Sequence, residues 1–234
     1  MSDEVAEILR YGEIRVEARF ANSSNATLLA AVELDGVSLR AVYKPESGER
    51  PLWDFPAGLW RREVATYVLS EALGLGLVPL TLARDDGPFG PGSLQLLVDE
   101  DGHSHYFTLR EAPEHAVALR QIAALDVIAN NSDRKSGHVL LAEGACWAID
   151  HGLCFHEQDK LRTVIWDFAG DELDETTMAG ISALLAAPPP ALAELLDPIE
   201  LAITLSRAQE LLDAGVLPAP DEDGPYPPYP WPLI

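Results

Sequence analysis

Apolar and charged positions alternate along Ile14–Phe20, the pattern of a strand with one buried face. A polar break, Asn22-Ser23-Ser24-Asn25, leads to a second strand pattern at Thr27–Leu34. Asp35-Gly36 then supplies a two-residue hairpin turn into a third strand, Leu39–Tyr43, which ends on Lys44-Pro45. The opening part of the chain therefore predicts an antiparallel meander. The period changes at Leu59. Trp60, Val64, Tyr67, Val68 and Ala72 share one helical face, predicting a helix over Leu59–Leu73 with Gly74 as its C-cap. Two more strands are expected at Leu77–Arg84 and Ser93–Val98, before the acidic, turn-rich break at Asp99-Glu100-Asp101-Gly102. A boundary at this break divides an N-terminal lobe, 1–98, from a C-terminal lobe, 99–234.

Beyond Tyr106 helical spacing dominates. Ala118, Ile122, Leu125 and Ala129 mark one face of a helix over Glu111–Ala129. Shorter helices are expected at Thr177–Leu185 and Ala191–Leu196, and a longer one at Ile199–Ala214 capped by Gly215. Between them lies Asp126–Asp150. Its apolar runs, Val139–Ala142 and Ala145–Ile149, are joined by the turn Glu143-Gly144 and predict a hairpin. That hairpin brings His138 and Asp150 together at its open end, within a residue of register. Asp133 lies on the incoming loop, followed at once by Arg134 and Lys135. The tail from Pro218 mixes prolines with aromatics and predicts an extended strap on the surface, with adapter binding as an alternative.

Composition narrows the function classes. An apolar fraction of 47% supplies a real core. A formal charge of −22, from 38 acids against 16 bases, excludes the basic footprint that nucleic acid requires and disfavours an anionic lipid surface. Only two cysteines are present, Cys146 and Cys154, so a disulfide framework is not expected and both read as buried free thiols. No signal-peptide pattern and no spanning apolar run is apparent, which predicts a cytoplasmic protein without stable membrane insertion.

The chemistry-bearing residues converge on phosphoryl transfer. Two acids and an imidazole gather beside two cations in Asp133–Asp150, and positioned carboxylates, metal ions and cations are what that reaction needs. Glu63, at the margin of a buried helix face, wants a cationic partner, and Lys44 at the end of the third strand suits it. The plain alternatives are a local Asp133–Arg134 ion pair, a turn residue at Asp150 and solvated charges at Lys44 and Glu63. His151, Cys154 and His156 have H-x-x-C-x-H spacing and invite a zinc reading, for which no fourth ligand stands out. His103 and His105 lie in a turn-rich segment and read as solvent-exposed. Trp53, Phe55, Trp166 and Trp231 read as packing residues, with Trp166 placed where an acceptor would dock.

The segments AVYKP (41–45), REVATYVLSEALGLGLVP (62–79), GSLQLLV (92–98), NNSDRKSGH (130–138) and AIDHGLCF (148–155) together resemble the phosphatidylinositol 3-/4-kinase superfamily. The type II phosphatidylinositol 4-kinases are nearest and the HipA-type serine kinases more distant, and an actinobacterial PI3/4-kinase-like branch resembles the chain most narrowly. The resemblance covers most of residues 12–170. It implies an α+β, protein-kinase-like two-lobe fold, with a β-rich N-lobe and a mainly helical C-lobe. It also implies ATP as cofactor, with Mg or Mn. Lys44 matches the lysine that holds the α/β-phosphates, and Glu63 its helix partner. Ser23, Ser24 and Asn25 occupy the place of the phosphate-covering loop without being glycine-rich. Gln95, Leu96, Leu97 and Val98 sit where the adenine hinge would be. Asp133 matches the catalytic-loop aspartate, Asp150 the metal-binding aspartate, and Lys135 the lysine that neutralises the transferring phosphate.

The chain departs from the pattern at His138, where these kinases usually carry a metal-binding asparagine. Three readings follow: a ligand that shifts metal preference, a polar residue lining a one-metal site, or the mark of a kinase that binds nucleotide without turnover. The leading function is an ATP- and divalent-metal-dependent phosphotransferase acting on a hydroxyl acceptor, which is a protein Ser/Thr, a small metabolite or an inositol lipid. A nucleotide-binding pseudokinase, an AMP transferase and a nucleotide-free interaction domain are the alternatives.

Overall fold

A computed structural model describes residues 3–234 except 22, 24, 101 and 103. The chain forms two compact units, Met1–Val64 with Pro79–Leu97, and Ala65–Val78 with Val98–Ile234.

The first unit is built on a five-stranded antiparallel sheet of order β1-β2-β3-β5-β4. The expected meander is present as β1 (Glu13–Arg19), β2 (Leu28–Leu34) and β3 (Val37–Pro45). Asp35 and Gly36 both take positive φ, the backbone of a tight hairpin turn. β1 differs from expectation in being exposed along nearly its whole length. It is an edge strand with a register shift between Val16 and Ala18, and its Glu and Arg side chains blunt the open edge. The opening of the chain, expected to be β structure, begins instead with α1 (Asp3–Tyr11), which buries Ile8 and Leu9. Its C-terminal carbonyls find a partner from far along the chain, since the buried Arg84 guanidinium donates to Leu9 O at 2.7 Å and Gly12 O at 2.9 Å. β4 (Thr81–Arg84) and β5 (Gly92–Leu96) are both shorter than expected. Pro79 precedes β4, and a proline cannot continue a ladder upstream. β5 pairs with β3 so that Lys44 faces Ser93. A Cβ on Gly92 would lie 2.4 Å from Lys44 O, so only glycine allows this approach.

α2 (Leu59–Ala72) is the expected helix, with its first turns in the first unit and the remainder in the second. Gly74 ends it at φ +67, and the Leu75 N–H closes back onto Ser70 O.

The second unit is mainly helical. The sequence predicted one helix over Glu111–Ala129. Instead there are α3 (Tyr106–Leu109), a 3-10 turn at Pro113–His115, and α4 (Ala116–Ala129). Pro113 lacks the N–H a continuing helix would use, which separates the pieces. α4 is buried on several sides by Leu119, Ile122, Leu125 and Ile128, the centre of the core. β6 (Val139–Ala142) and β7 (Ala145–Ala148) form the expected hairpin, turning through Glu143 and Gly144 at positive φ. α5 (Glu175–Ala186), α6 (Pro190–Leu195) and α7 (Pro198–Ala214) follow close to the expected places. Asp174 and Asp197 cap α5 and α7 through their side chains. Cys146 and Cys154 are free and buried, as read from the sequence. No helix among the described residues is long and apolar enough to cross a membrane.

Candidate active site

The loop that leaves α4 is held by side chains at each step. Asn130 takes left-handed backbone at φ 51, which ends the helix. Its amide donates to His156 O and Gln158 O at 3.0 and 2.7 Å and accepts from the Lys160 N–H at 2.9 Å. Asn131 donates to Asp126 Oδ1 at 2.9 Å and accepts the Asp133 N–H at 3.0 Å. The Asp133 backbone is thereby fixed to the helix that precedes it.

Arg134 is the centre of this arrangement. Its side chain is wholly buried and forms a two-pronged pair with Asp126, Nε to Oδ2 and Nη2 to Oδ1, both at 2.9 Å. Nη1 donates to His138 O at 3.0 Å and to Ile149 O at 2.7 Å, and Nη2 lies 2.7 Å from His151 Nε2. One guanidinium thus ties α4 to both strands of the hairpin at its open end. Burial opposes its charge, but the field and hydrogen bonds of Asp126 outweigh that and raise its pKa. The Asp133–Arg134 pair considered from sequence is absent from these contacts, because Arg134 turns inward to Asp126.

Asp133 pairs instead with Lys135, Oδ2 to Nζ at 2.7 Å, with both side chains partly exposed. Burial raises the Asp133 carboxyl above its ordinary range, Lys135 opposes that shift, and the nearby Asp150 charge adds to it. A carboxylate that is oriented, partly desolvated and raised in pKa suits accepting a proton from a hydroxyl.

At the open end of the hairpin His138 Nε2 lies 3.3 Å from Asp150 Oδ2. The Ile149 N–H donates to His138 O at 3.0 Å, giving the near-opposition that the hairpin predicted. His138 Nδ1 faces the Lys135 N–H at 3.5 Å, which directs Nε2 toward Asp150. Asp150 adopts φ 61, a conformation aspartate tolerates better than most residues, and its side chain is half exposed. The described residues contain no group of three or more His, Cys, Asp or Glu able to hold a metal. This overturns the H-x-x-C-x-H zinc reading: His151 lies against Arg134, whereas His156 Nδ1 accepts the Gln158 N–H at 2.9 Å. A carboxylate beside one further donor does fit a divalent cation whose remaining ligands are phosphate oxygens and water.

In the first unit Lys44 Nζ and Glu63 Oε1 form a close ion pair, with the Glu63 side chain almost fully buried. Trp60, on the same helix, donates its indole N–H to Glu46, which follows Lys44-Pro45. Ser23 Oγ contacts the carbonyls of Phe20 and Asn25 at 3.1 and 2.8 Å, and Asn25 Oδ1 accepts the Arg50 N–H at 2.9 Å. Ser24 lies outside the described residues. Along Gln95–Val98, the Gln95 side chain is buried against Thr81, and the Leu96 and Leu97 N–H groups donate to Leu80 O and Arg40 O. Contact with a base through Leu96 or Leu97 would therefore use carbonyls.

Sequence reading missed Asp126, Asn130, Asn131 and the inward role of Arg134. A usable signal was present: an aspartate between Leu125 and Val127 on an apolar helix must find a buried partner.

No family model matches the chain. It is 38% identical over 273 aligned positions to protein Rv2133c of Mycobacterium tuberculosis, an alignment covering 100% of this chain and 97% of that protein. This chain belongs to the Rv2133c family. The family member is also similar, 32% identical over 124 residues, to phosphatidylinositol 4-kinase gamma 4 of Oryza sativa subsp. japonica, over 45% of its own length but 22% of the plant protein. Its fold is shared by solved kinase structures. The Golgi casein kinase aligns with a TM-score of 0.58 at 15% identity, covering 93% of this chain and 79% of the other. Hydra Fam20, solved with sugar, gives 0.56 at 12% identity and covers 91% and 88%. The α+β fold of this Rv2133c-family chain is protein-kinase-like, as the resemblance implied.

Proposed function

We propose that the chain is an ATP- and divalent-metal-dependent phosphotransferase, of the PI3/4-kinase-like superfamily, that moves the γ-phosphoryl group of ATP to a hydroxyl acceptor. The observation that carries this reading is the loop around Asp133, whose backbone is fixed through Asn131 and whose carboxylate is paired with Lys135 and raised in pKa by burial. The kinase-like fold and the partial match to a plant phosphatidylinositol 4-kinase support it.

In this reading Asp133 orients the acceptor hydroxyl and takes its proton, while Lys135 offsets charge on the transferring group. Lys44, aligned by Glu63, holds the nucleotide phosphates. Asp150 and His138 would hold Mg or Mn, which supplies charge neutralisation on the β- and γ-phosphate oxygens. Ser23, Ser24 and Asn25 would cover the phosphates; for Ser23 and Asn25 this falls to backbone groups, since the Ser23 hydroxyl is engaged within the loop and the Asn25 side chain accepts from the Arg50 N–H. The Gln95–Val98 stretch borders the base. The two free buried thiols suit a cytoplasmic setting.

Incubation with γ-labelled ATP and either Mg or Mn tests the proposal. Label is expected on the protein, on an added acceptor or in released phosphate. The His138–Asp150 contact favours one second reading, a pseudokinase, because that imidazole stands where the kinases carry asparagine. Thermal stabilisation by ATP with no transfer and no hydrolysis under either metal would establish the pseudokinase instead.

A further inference from the structure

The C-terminal tail does not simply lie on the surface. Pro228 O accepts two hydrogen bonds, from the Thr163 N–H at 3.0 Å and from the Trp166 indole N–H at 3.1 Å. Leu233 O accepts the Ser136 N–H at 2.8 Å, and Ser136 lies three residues beyond Asp133 on the same loop. The strip that receives the tail is itself joined to this loop. Arg134 N–H donates to Arg162 O at 3.0 Å and Val164 N–H to Arg134 O at 3.1 Å, a parallel bridge between Arg134 and Thr163. The tail is therefore tied both to this strip, through Pro228 O, and to the Asp133 loop itself, through Leu233 O.

The tail follows a bent course with turns and bends, yet Tyr226, Pro228 and Pro230 turn inward whereas Pro225, Pro227, Tyr229 and Trp231 are exposed, so every second side chain meets the strip. The bonds from Thr163, Trp166 and Ser136 all run to tail carbonyls, as suits a segment whose prolines have no N–H. The inward Tyr226 ring lies beneath two cations, 5.2 Å from Lys160 Nζ and 5.5 Å from the Arg162 guanidinium. The fit is incomplete. A cavity of about 140 Å³ remains, lined in part by Lys160, Leu161, Trp166, Tyr226 and Pro228.

We propose that residues 158–166 together with Ser136 form a track for a polypeptide segment, and that the tail occupies it in cis as an intrasteric strap. The acceptor is then a polypeptide segment held through its own carbonyls, with alternate side chains facing Lys160, Arg162 and Trp166, and it must displace the tail. Naming that polypeptide the acceptor rests on the phosphotransferase reading, whereas the track itself does not.

The test uses a chain ending at Pro220, which keeps the buried Leu217, and a fluorescent peptide of residues 221–234. The shortened chain should bind the peptide in trans at least tenfold more tightly than the full chain, whose track is filled. Tyr226→Ala in the peptide should weaken binding about tenfold. Equal binding by both chains, or none by a shortened chain that unfolds cooperatively, would overturn the proposal. If the shortened chain does not fold, full-length Tyr226→Ala/Trp166→Phe is read by hydrogen exchange at the Ser136 and Thr163 amides. Exchange at least tenfold faster supports the strap, and unchanged exchange refutes it. Transfer to a dephosphorylated protein acceptor, measured in parallel, should rise on shortening. Peptide binding with no label on the protein, on an added acceptor or in released phosphate from either chain rejects the phosphotransferase reading and keeps the track, whereas transfer without peptide binding does the reverse.

Discussion

Replacing Arg134 by methionine removes the charge while keeping most of the volume. The side chain is wholly buried and makes two bonds to Asp126, two to the carbonyls of His138 and Ile149, and one to His151. Removing one partner of a buried ion pair strands the other charge, a loss of roughly 3–5 kcal/mol. Counting the two abandoned carbonyls separately would double part of that penalty, so about 3 kcal/mol is a conservative floor. For a domain of this size 1 kcal/mol corresponds to roughly 2–4 °C in Tm, so the variant should melt at least about 6 °C below the parent. Asp126→Asn/Arg134→Met leaves no stranded charge and should recover part of the loss, giving a double-mutant coupling above about 1 kcal/mol. Differential scanning calorimetry on the four proteins of the cycle decides it. A Tm for Arg134→Met within about 2 °C of the parent would mean that this guanidinium does not hold the loop, and the reasoning fails.

Asp133→Asn has a sign that separates a functional carboxylate from a structural one. Burial raises its folded pKa, so the folded state keeps the proton to higher pH than the unfolded chain, and ionisation costs stability as pH rises above the ordinary value of 3.8. Asparagine removes that cost. The variant should be the more stable protein near pH 7, with the gain fading toward pH 4 and below, while transfer falls by about 10²–10⁴. Melting curves across that range check it, and a variant destabilised at pH 7 contradicts it. Lys44→Met should abolish the thermal shift that ATP induces, normally about 2.7 kcal/mol at a hundredfold excess over Kd, and should also destabilise the chain by stranding the buried Glu63 carboxylate. Adding Glu63→Gln should restore stability but not the ATP shift, as a thermal-shift titration would show. His138→Asn should keep or raise Mg-supported transfer and reduce any preference for Mn, and loss under both metals in the transfer assay sinks the ligand-exchange idea. Because the chain carries −22, stopped-flow association of a fluorescent ATP analogue should quicken as salt is raised from about 0.01 to 0.15 M, and a marked slowing would show a locally cationic approach instead.

Period and turn chemistry explain which parts of the fold were legible. Asp35-Gly36 and Glu143-Gly144 announced their hairpins because each turn needs positive φ at two successive residues, and the register followed. α1 was not legible as a helix because it is short, and Arg84, more than seventy residues along, satisfies its end. The β1 alternation was real but misled about burial, because sequence does not show which strand of a sheet lies at the edge. In the site, Asp133, His138 and Asp150 were visible as chemistry beside a hairpin. Asp126 was hidden inside an apolar helix, and Arg134 looked like one cation among two. The aspartate within the apolar helix signals a buried cationic partner, but which of the two adjacent cations turns inward to it depends on how the loop folds back over eight residues, which no local pattern carries.

The same distinction explains how so acidic a chain can be organised for phosphate chemistry. Arg134 pairs with Asp126, Lys135 with Asp133 and Lys44 with Glu63. The cations that a sequence reading would offer to phosphate are each matched by a carboxylate, and the innermost pair is inaccessible. Arg134 therefore acts on geometry alone. It holds the loop and hairpin in register and contributes no free charge. The two lysines differ from it in being partly exposed, so a phosphate can compete for them, and competition at Lys135 would release Asp133 from its pair. Losing that pair raises the Asp133 pKa further, because burial and the Asp150 charge remain while the opposing cation turns away. A nucleotide that engages Lys135 would thus make Asp133 a stronger base at the moment an acceptor proton has to be taken. Sequence spacing alone, which puts Asp133 and Lys135 two residues apart, suggests cooperation between them, whereas the observed pair would, in the proposed reaction, make that cooperation depend on what Lys135 binds.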